Sequence, residues 1–401
     1  MQNTRIFSSC ASKCLSLSVF FVLVVFALSL MGENTPVPWG FYPHKLINKY
    51  AVFTLPYDML PFYKTNASYL YEHAVDPDRR RYSSSHEAIR HYIDLDYWED
   101  AGRNLPAAWD SFAMKFYYLK LIHGHDTMIY SRDSLISEVD VSPNVLTYLD
   151  SLSAALLMQL PEEQVLEDFP VFFSGFSQYD CYQGIQGAKH GVVPFIIAYQ
   201  YRRLRNAFEH HRYAAIIRIS ADLGHYIADA HVPLHTTANY DGQKTGQEGI
   251  HAFWETRIPE LMAEREFDLF AGKAKYIDDV EQWASNVVRS SHRLVDRVLH
   301  VEDSLRNAIP ADKQYQFIER SGQIVRKESS EFASQYESSM HDMVEDRMRA
   351  AIRGIGSLWM TAWVDAGQPE LPKDWRFRYL RRANSQDSIK NEVETSGCHL
   401  K

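Results

Sequence analysis

Five side chains that bind metal ions well lie between positions 225 and 255 of this sequence: His225, Asp229, His235, His251 and Glu255. His225 and Asp229 are four apart, as are His251 and Glu255, and on a helix that spacing stacks two side chains on one face. Each pair is a ready half of a metal site. Imidazole nitrogen and carboxylate oxygen without thiolate is the donor mix of hydrolytic zinc or manganese sites, whereas structural zinc favours cysteine. The set therefore suggests catalysis rather than a structural staple.

The first pair needs a helix to hold it. Ile216, Ile219, Leu223 and Ile227 recur at helical spacing as an apolar stripe, and Arg218, Asp222, His225 and Asp229 form a second stripe. Taken alone, that second stripe also reads as the wet face of an amphipathic helix. The second pair and His235, just past Pro233, weigh against that reading. Helices are also expected from about His44, over 66–74, 109–121, 146–160, 192–208, 283–299, 313–340 and 342–366. Residues 55–63 are broken by prolines, and Arg79, Arg80 and Arg81 read as a solvated turn or a phosphate contact. The segment from His86 to Trp98 reads as a helix end with capping carboxylates. With no convincing strand alternation, no repeat, no Gly-rich phosphate loop and no Cys-x-x-Cys, the expected class is all-α.

Composition bounds the rest. The chain has 401 residues, 46% of them hydrophobic, and a net charge of −9. That balance excludes a protein that grips nucleic acid by a broad basic surface. Residues 15–31 are apolar and uncharged, with Arg5 and Lys13 before them, so 1–32 reads as an export signal or a signal anchor. The protein is then expected to be periplasmic or extracellular, or membrane-anchored. Cys10 and Cys14 precede the apolar run, which leaves Cys181 and Cys398 for at most one disulfide. Residues 384–401 are polar and expected to be disordered.

The motifs resemble those of the zinc-dependent phospholipase C and S1/P1 nuclease superfamily. Trp39-x4-His44, an Asp followed fifteen positions on by His91-Tyr-Ile-Asp94, His225-x3-Asp229-x5-His235 and His251-x3-Glu255 occur in that family's order. The resemblance implies an all-α fold over 39–371 with three zinc ions in a cleft. By that likeness Asp76, His91, His225 and Asp229 hold one zinc, with Asp78 the alternative to Asp76. His235, His251 and Glu255 hold a second, and Trp39, through its main chain, His44 and a bridging Asp229 hold the third. Asp76 and Asp229 are the residues expected at the chemistry, with Asp94 a further carboxylate able to relay a proton. His231 reads as a core or supporting residue.

The sequence departs from the family pattern in three respects. Trp39 follows the segment Glu33-Asn-Thr-Pro-Val-Pro38, and the gap from His91 to His225 (225 − 91 = 134) signals a long insertion over about 99–213. Glu255 and the short loop before His251 resemble the phospholipases, while Trp39-x4-His44 and Asp229-Ala-His-Val-Pro-Leu-His235 resemble the nucleases. The resemblance implies a zinc-dependent phosphodiesterase of phospholipase C type. The alternatives are a single-strand nuclease or 3′-nucleotidase and a non-catalytic zinc-binding protein. Phospholipid or single-stranded nucleic acid is the expected substrate, with a membrane surface as a possible partner and no obligate protein partner. Phe41, Phe62, Tyr97 and Trp98 are candidates to meet an acyl chain or a base.

Overall fold

A computed structural model describes residues 41–100, 102–131, 134, 164–165, 180–320 and 322–378. Expectations that fall on the leader, Trp39, the 146–160 segment and the 384–401 tail lie outside the described residues. The chain runs through α1 (Phe41–Ala51), α2 (Leu60–Thr65), α3 (Ala67–His73), α4 (Asp76–Arg80) and α5 (Ser85–Ala88) before the insertion. The first part of the expected insertion holds α6 (Trp109–Phe116), β1 (Tyr117–His123), β2 (Asp126–Ser131), β3 (Gln164–Val165) and β4 (Asp180–Ile185). Then follow α7 (Val193–Glu209), α8 (Tyr213–His231), α9 (Ile250–Ala252), α10 (Ile258–Met262), α11 (Val280–His292), α12 (Val295–Ala308) and α13 (Ala311–Gln314). Strands β5 (Tyr315–Arg320) and β6 (Gln323–Glu328) precede α14 (Ser330–Met340) and α15 (Met343–Asp365).

Most described residues are helical, which is compatible with the all-α expectation, and two small sheets are present besides. Residues 109–121, expected as one helix, divide at Tyr117 into α6 and β1. Tyr117, Leu119 and Leu121 point inward in alternation while Tyr118, Lys120 and Ile122 are half-buried, so apolar side chains on both faces mask the period of two. The strand order is β2-β1-β4-β3, all antiparallel. Gly124, at φ 61°, supplies the left-handed turn between β1 and β2. Residues 313–340 likewise hold a hairpin between two helices, and Gly322, at φ 74°, turns it. Contacts divide the chain into two units, and residues 316–327 of this hairpin belong to the smaller one.

In the larger unit, α8 packs against α7, α15, α1 and α11. It is buried on every side from Leu223 to His231, so its His/Asp stripe is not a wet face. Helix α1 covers that stripe. His44 and Asn48, one turn apart and both buried, face α8. The Asn48 side-chain amide donates to the Ala221 carbonyl at 3.1 Å. This approach depends on Gly224, where a Cβ would stand 1.8 Å from the Asn48 side-chain oxygen. On another side of α8, Trp359 of α15 donates its indole N–H to the Ser220 carbonyl and stacks on Tyr63, fixing the helix against the core. The part of α8 that carries His225 and Asp229 is thus enclosed by its neighbours.

Candidate metal centre

Helix α8 presents His225 and Asp229 one turn apart, and α1 lays the His44 ring against that of His225, with centroids 4.3 Å apart. The two Asp229 oxygens divide their neighbours. Oδ1 lies 3.3 Å from His44 Nε2, while Oδ2 lies 2.9 Å from His91 Nδ1 and 3.3 Å from His225 Nε2. Asp78 Oδ1 lies 3.7 Å from His91 Nδ1 and 3.8 Å from His225 Nε2. One carboxylate reaching two sets of imidazoles has the geometry of a bridge.

Glu255 bridges too, which the motif did not imply. Its Oε1 is 2.9 Å from His44 Nε2, and its Oε2 is 2.8 Å from His251 Nε2 and 3.5 Å from His235 Nε2. The backbone sets this reach locally: Gly249, at φ 98°, opens α9, and the turn over Phe253–Arg257 widens to π-helical winding around Glu255. Among the described residues, three groups of side chains that could hold a metal result: Asp78, His91 and His225; His44, His225 and Asp229; and His235, His251 and Glu255. In each group the ligand atoms lie within 4.8 Å of one another.

The structure differs from the expectation at Asp76. Asp76 binds His73 Nδ1 at 2.6 Å and Arg79 at 2.9 Å, outside the cluster, and these two partners hold its carboxyl below the usual range against the upward push of burial. Asp78, the alternative, enters the cluster. Two residues on a helix turn through about 200°, so in the single turn of α4 one aspartate must face outward when the other faces in. The arginine run is paired throughout: Arg79 with Asp76, Arg80 with Asp222, and Arg81 with Asp78. Among the aromatic candidates, Phe62 and Trp98 are fully buried core residues, while Phe41 lies under the Arg79 guanidinium and Tyr97 is half-buried.

Whether these residues suit a metal is tested by their outer hydrogen bonds. His225, His235 and His251 each direct Nδ1 at a backbone carbonyl, that of Ala74 (2.9 Å), His91 (2.7 Å) and Tyr240 (3.1 Å). A carbonyl only accepts, so Nδ1 carries the proton and the lone pair sits on Nε2, which faces the cluster. This is the tautomer a metal-ligating histidine needs. His91 is reversed, with Nδ1 turned inward and Nε2 3.8 Å from buried Glu87. Glu87 is itself held by Tyr226 and Arg90. The sequence reading did not single out Glu87, although its place one turn before His91 was a signal.

Burial, then the charges of Arg81, His235, His44 and Arg80, hold His91 well below its ordinary pKa. Burial and its neighbours His44 and His91 do the same to His225, and burial lowers His235. The neutral imidazole is the ligating form. Burial, then Asp78 and Glu255, push Asp229 well above the usual carboxyl range. Asp78 is pushed up to about 6, mainly by burial, with His44 opposing and Glu255 adding to the rise. Buried carboxylates that repel one another are stabilised by a cation set between them. The donors present suit a metal ion in type and tautomer.

Comparison of the chain with protein-family models, curated proteins and solved structures finds no match. The reading of this centre therefore stands on its own geometry.

The insertion also reaches the site, through a residue that no local signal marked. His190 Nδ1 lies 2.8 Å from Asp94 Oδ2, and the Asp94 N–H donates to the His190 carbonyl at 2.7 Å. Ile93, next to Asp94, donates its N–H to the carbonyl of His235. His231, as expected, is a core residue: its Nδ1 donates to the Ile227 carbonyl, and burial lowers its pKa to about 3.

Proposed function

We propose that this chain is a zinc-dependent phosphodiesterase, phospholipase C-like in its final motif, that works after export under the leader at 1–32. The observation that carries the reading is the set of buried imidazoles whose outer nitrogens are tied to backbone carbonyls, gathered around two carboxylates that each reach two ligand groups. Asp78, His91, His225 and Asp229 would hold one zinc. His235, His251 and Glu255 would hold a second, and His44 with Asp229 a third, to which Trp39 is the remaining candidate ligand. Zinc in such a site supplies Lewis-acid stabilisation of the phosphoryl charge and a water acidified toward neutral pH.

The protein residues have separate tasks. The Ala74, His91 and Tyr240 carbonyls keep three imidazoles in the ligating tautomer. Asp229 and Glu255 fix the spacing between ligand groups, and burial keeps the field between them strong. Glu255 and the acidic net charge favour a phospholipid over single-stranded nucleic acid.

The test is hydrolysis of phosphatidylcholine micelles and single-stranded DNA, in parallel, by the zinc-loaded chain freed of residues 1–38, with Asp229→Ala as control. Lipid turnover abolished in the variant is the expected result. Turnover of DNA alone would move the chain to the nuclease reading. Zinc-dependent turnover of neither would refute the proposal.

A further inference from the structure

The turn that brings His190 to Asp94 is built for that contact. Gly187 (φ 81°) and Gly191 (φ 84°) bracket the turn Ala188–His190. A Cβ on Gly187 would meet the Trp98 ring at 2.7 Å and that of Tyr97 at 2.9 Å; one on Gly191 would meet the Tyr92 carbonyl oxygen at 2.1 Å. Only glycine fits both the backbone conformation and the space. Gly191 also bridges to Ile93 as a strand pair, and the Tyr92 hydroxyl donates to the Lys189 carbonyl. Tyr97 stacks flat on His190 with centroids 3.6 Å apart, and the Arg103 guanidinium lies 4.1 Å from the centroid of the Tyr97 ring. The imidazole is thus fixed in plane by a ring and in rotation by a carboxylate.

The backbone ties the pair to two of the residues that could hold a metal, His91 and His235. Asp94 is three residues past His91, its neighbour Ile93 bonds to His235, and its carboxyl feels Asp96 and Lys244, the latter on the loop between His235 and His251. Asp94 is almost buried, while the His190 side chain remains 22% exposed. A carboxylate on Nδ1 of a partly exposed imidazole is the arrangement that orients a histidine for proton transfer.

We propose that His190, oriented by Asp94, donates the proton to the leaving group of the phosphodiester. The proposal rests on the hydrolase reading above and adds to it a residue from the insertion. In the step, water forms a new bond to phosphorus and the bond to the leaving oxygen breaks with its electron pair on that oxygen. His190 Nε2 gives that oxygen its proton, and the attacking water loses one to solvent. The imidazole keeps its Nδ1–H on Asp94 and is reprotonated from solvent before the next turnover.

The experiment compares two substrates that differ only in leaving group, 4-nitrophenyl phosphorylcholine and a short-chain phosphatidylcholine, with the zinc-loaded chain. Nitrophenolate leaves without a proton; an alkoxide does not. His190→Ala is expected to lose about 100-fold or more in kcat on the lipid and less than about 5-fold on the nitrophenyl ester, with unchanged zinc content. His190→Gln, which can still donate to Asp94 but cannot transfer a proton, is expected to show the same split. Equal losses on both substrates, no loss on either, or full activity of His190→Gln would overturn the role while leaving the hydrolase reading intact. A parent chain inactive on both substrates would overturn both.

Discussion

The ligand groups are assembled in opposite ways. His44, Asp78, His91, His225 and Asp229 come from α1, α4, the segment after α5 and α8, and side chains as far apart as 185 positions (229 − 44 = 185) meet, as His44 and Asp229 do at 3.3 Å. His235, His251 and Glu255 come from one stretch, with His235 and Glu255 only 20 apart. The electrostatics differ in the same sense. In the distant set, burial dominates: it pushes Asp78 and Asp229 up and His91 and His225 down. In the local set, Glu255 is driven up by burial, yet hydrogen bonds from His235, His251 and His44 hold it well below the usual range, and its bond to His251 raises that imidazole in spite of burial. The local set can partly neutralise itself. On the proposed reading the distant set would need a cation to hold its buried carboxylates together, and its assembly reports on the packing of α1, α4 and α8.

The largest effect is expected at the Asp229 bridge. Asp229→Ala removes the carboxylate common to three imidazoles, and diester hydrolysis should fall by on the order of 10³-fold. Circular dichroism should show the helices retained in the presence of zinc. Gly224→Ala attacks only the distant set, by pushing Asn48 and α1 off α8. It should cost about 3 kcal/mol in urea unfolding and weaken zinc held through His44, with His235, His251 and Glu255 still in place.

Glu337 calibrates what burial does to a carboxyl away from any ligand set. It accepts the N–H groups of Val344 and Glu345 at the start of α15, and burial raises it to about 7. Because its folded pKa lies above the unfolded value of 4.5, the folded chain binds more protons between these values, and stability falls as pH rises from 4.5 to 7. Glu337→Gln should remove a slope worth about 3 kcal/mol across that window, measured as the difference in unfolding free energy between parent and variant. A difference that does not change with pH would show that burial leaves this carboxyl unshifted.

The smallest effect is expected at Asp76. Asp76→Asn breaks a half-exposed pair with His73 and Arg79, costs under about 1 kcal/mol and leaves zinc content unchanged. Asp78→Asn should reduce zinc content. A reversal of the two would restore the ligand first read from the sequence.

That exchange shows where sequence reading stops. His225, Asp229, His235, His251 and Glu255 were legible because fixed spacing on one helix or one short segment dictates which side chains meet. Asp76 and Asp78 were not separable, since one turn of helix serves either aspartate and only its rotation against α8 decides. The helical stretches α7, α8 and α15 followed from their period. Strand β1 did not, because Tyr118 and Ile122 on its outer face erase the alternation, although Gly124 marked the turn beyond it. His190 was out of reach, since its meaning comes from a contact 96 positions away. The second bridging contact of Glu255 was equally hidden, as it needs the approach of α1.

Zinc stoichiometry tests the centre most directly. Elemental analysis of the purified chain, of Asp229→Ala and of His251→Ala should give at least two zinc ions per parent chain. His251→Ala should lose one, and Asp229→Ala should lose the zinc of the distant set while keeping that of the local set. A parent chain with less than one bound zinc after loading, and no change in thermal stability on chelation, would contradict the account.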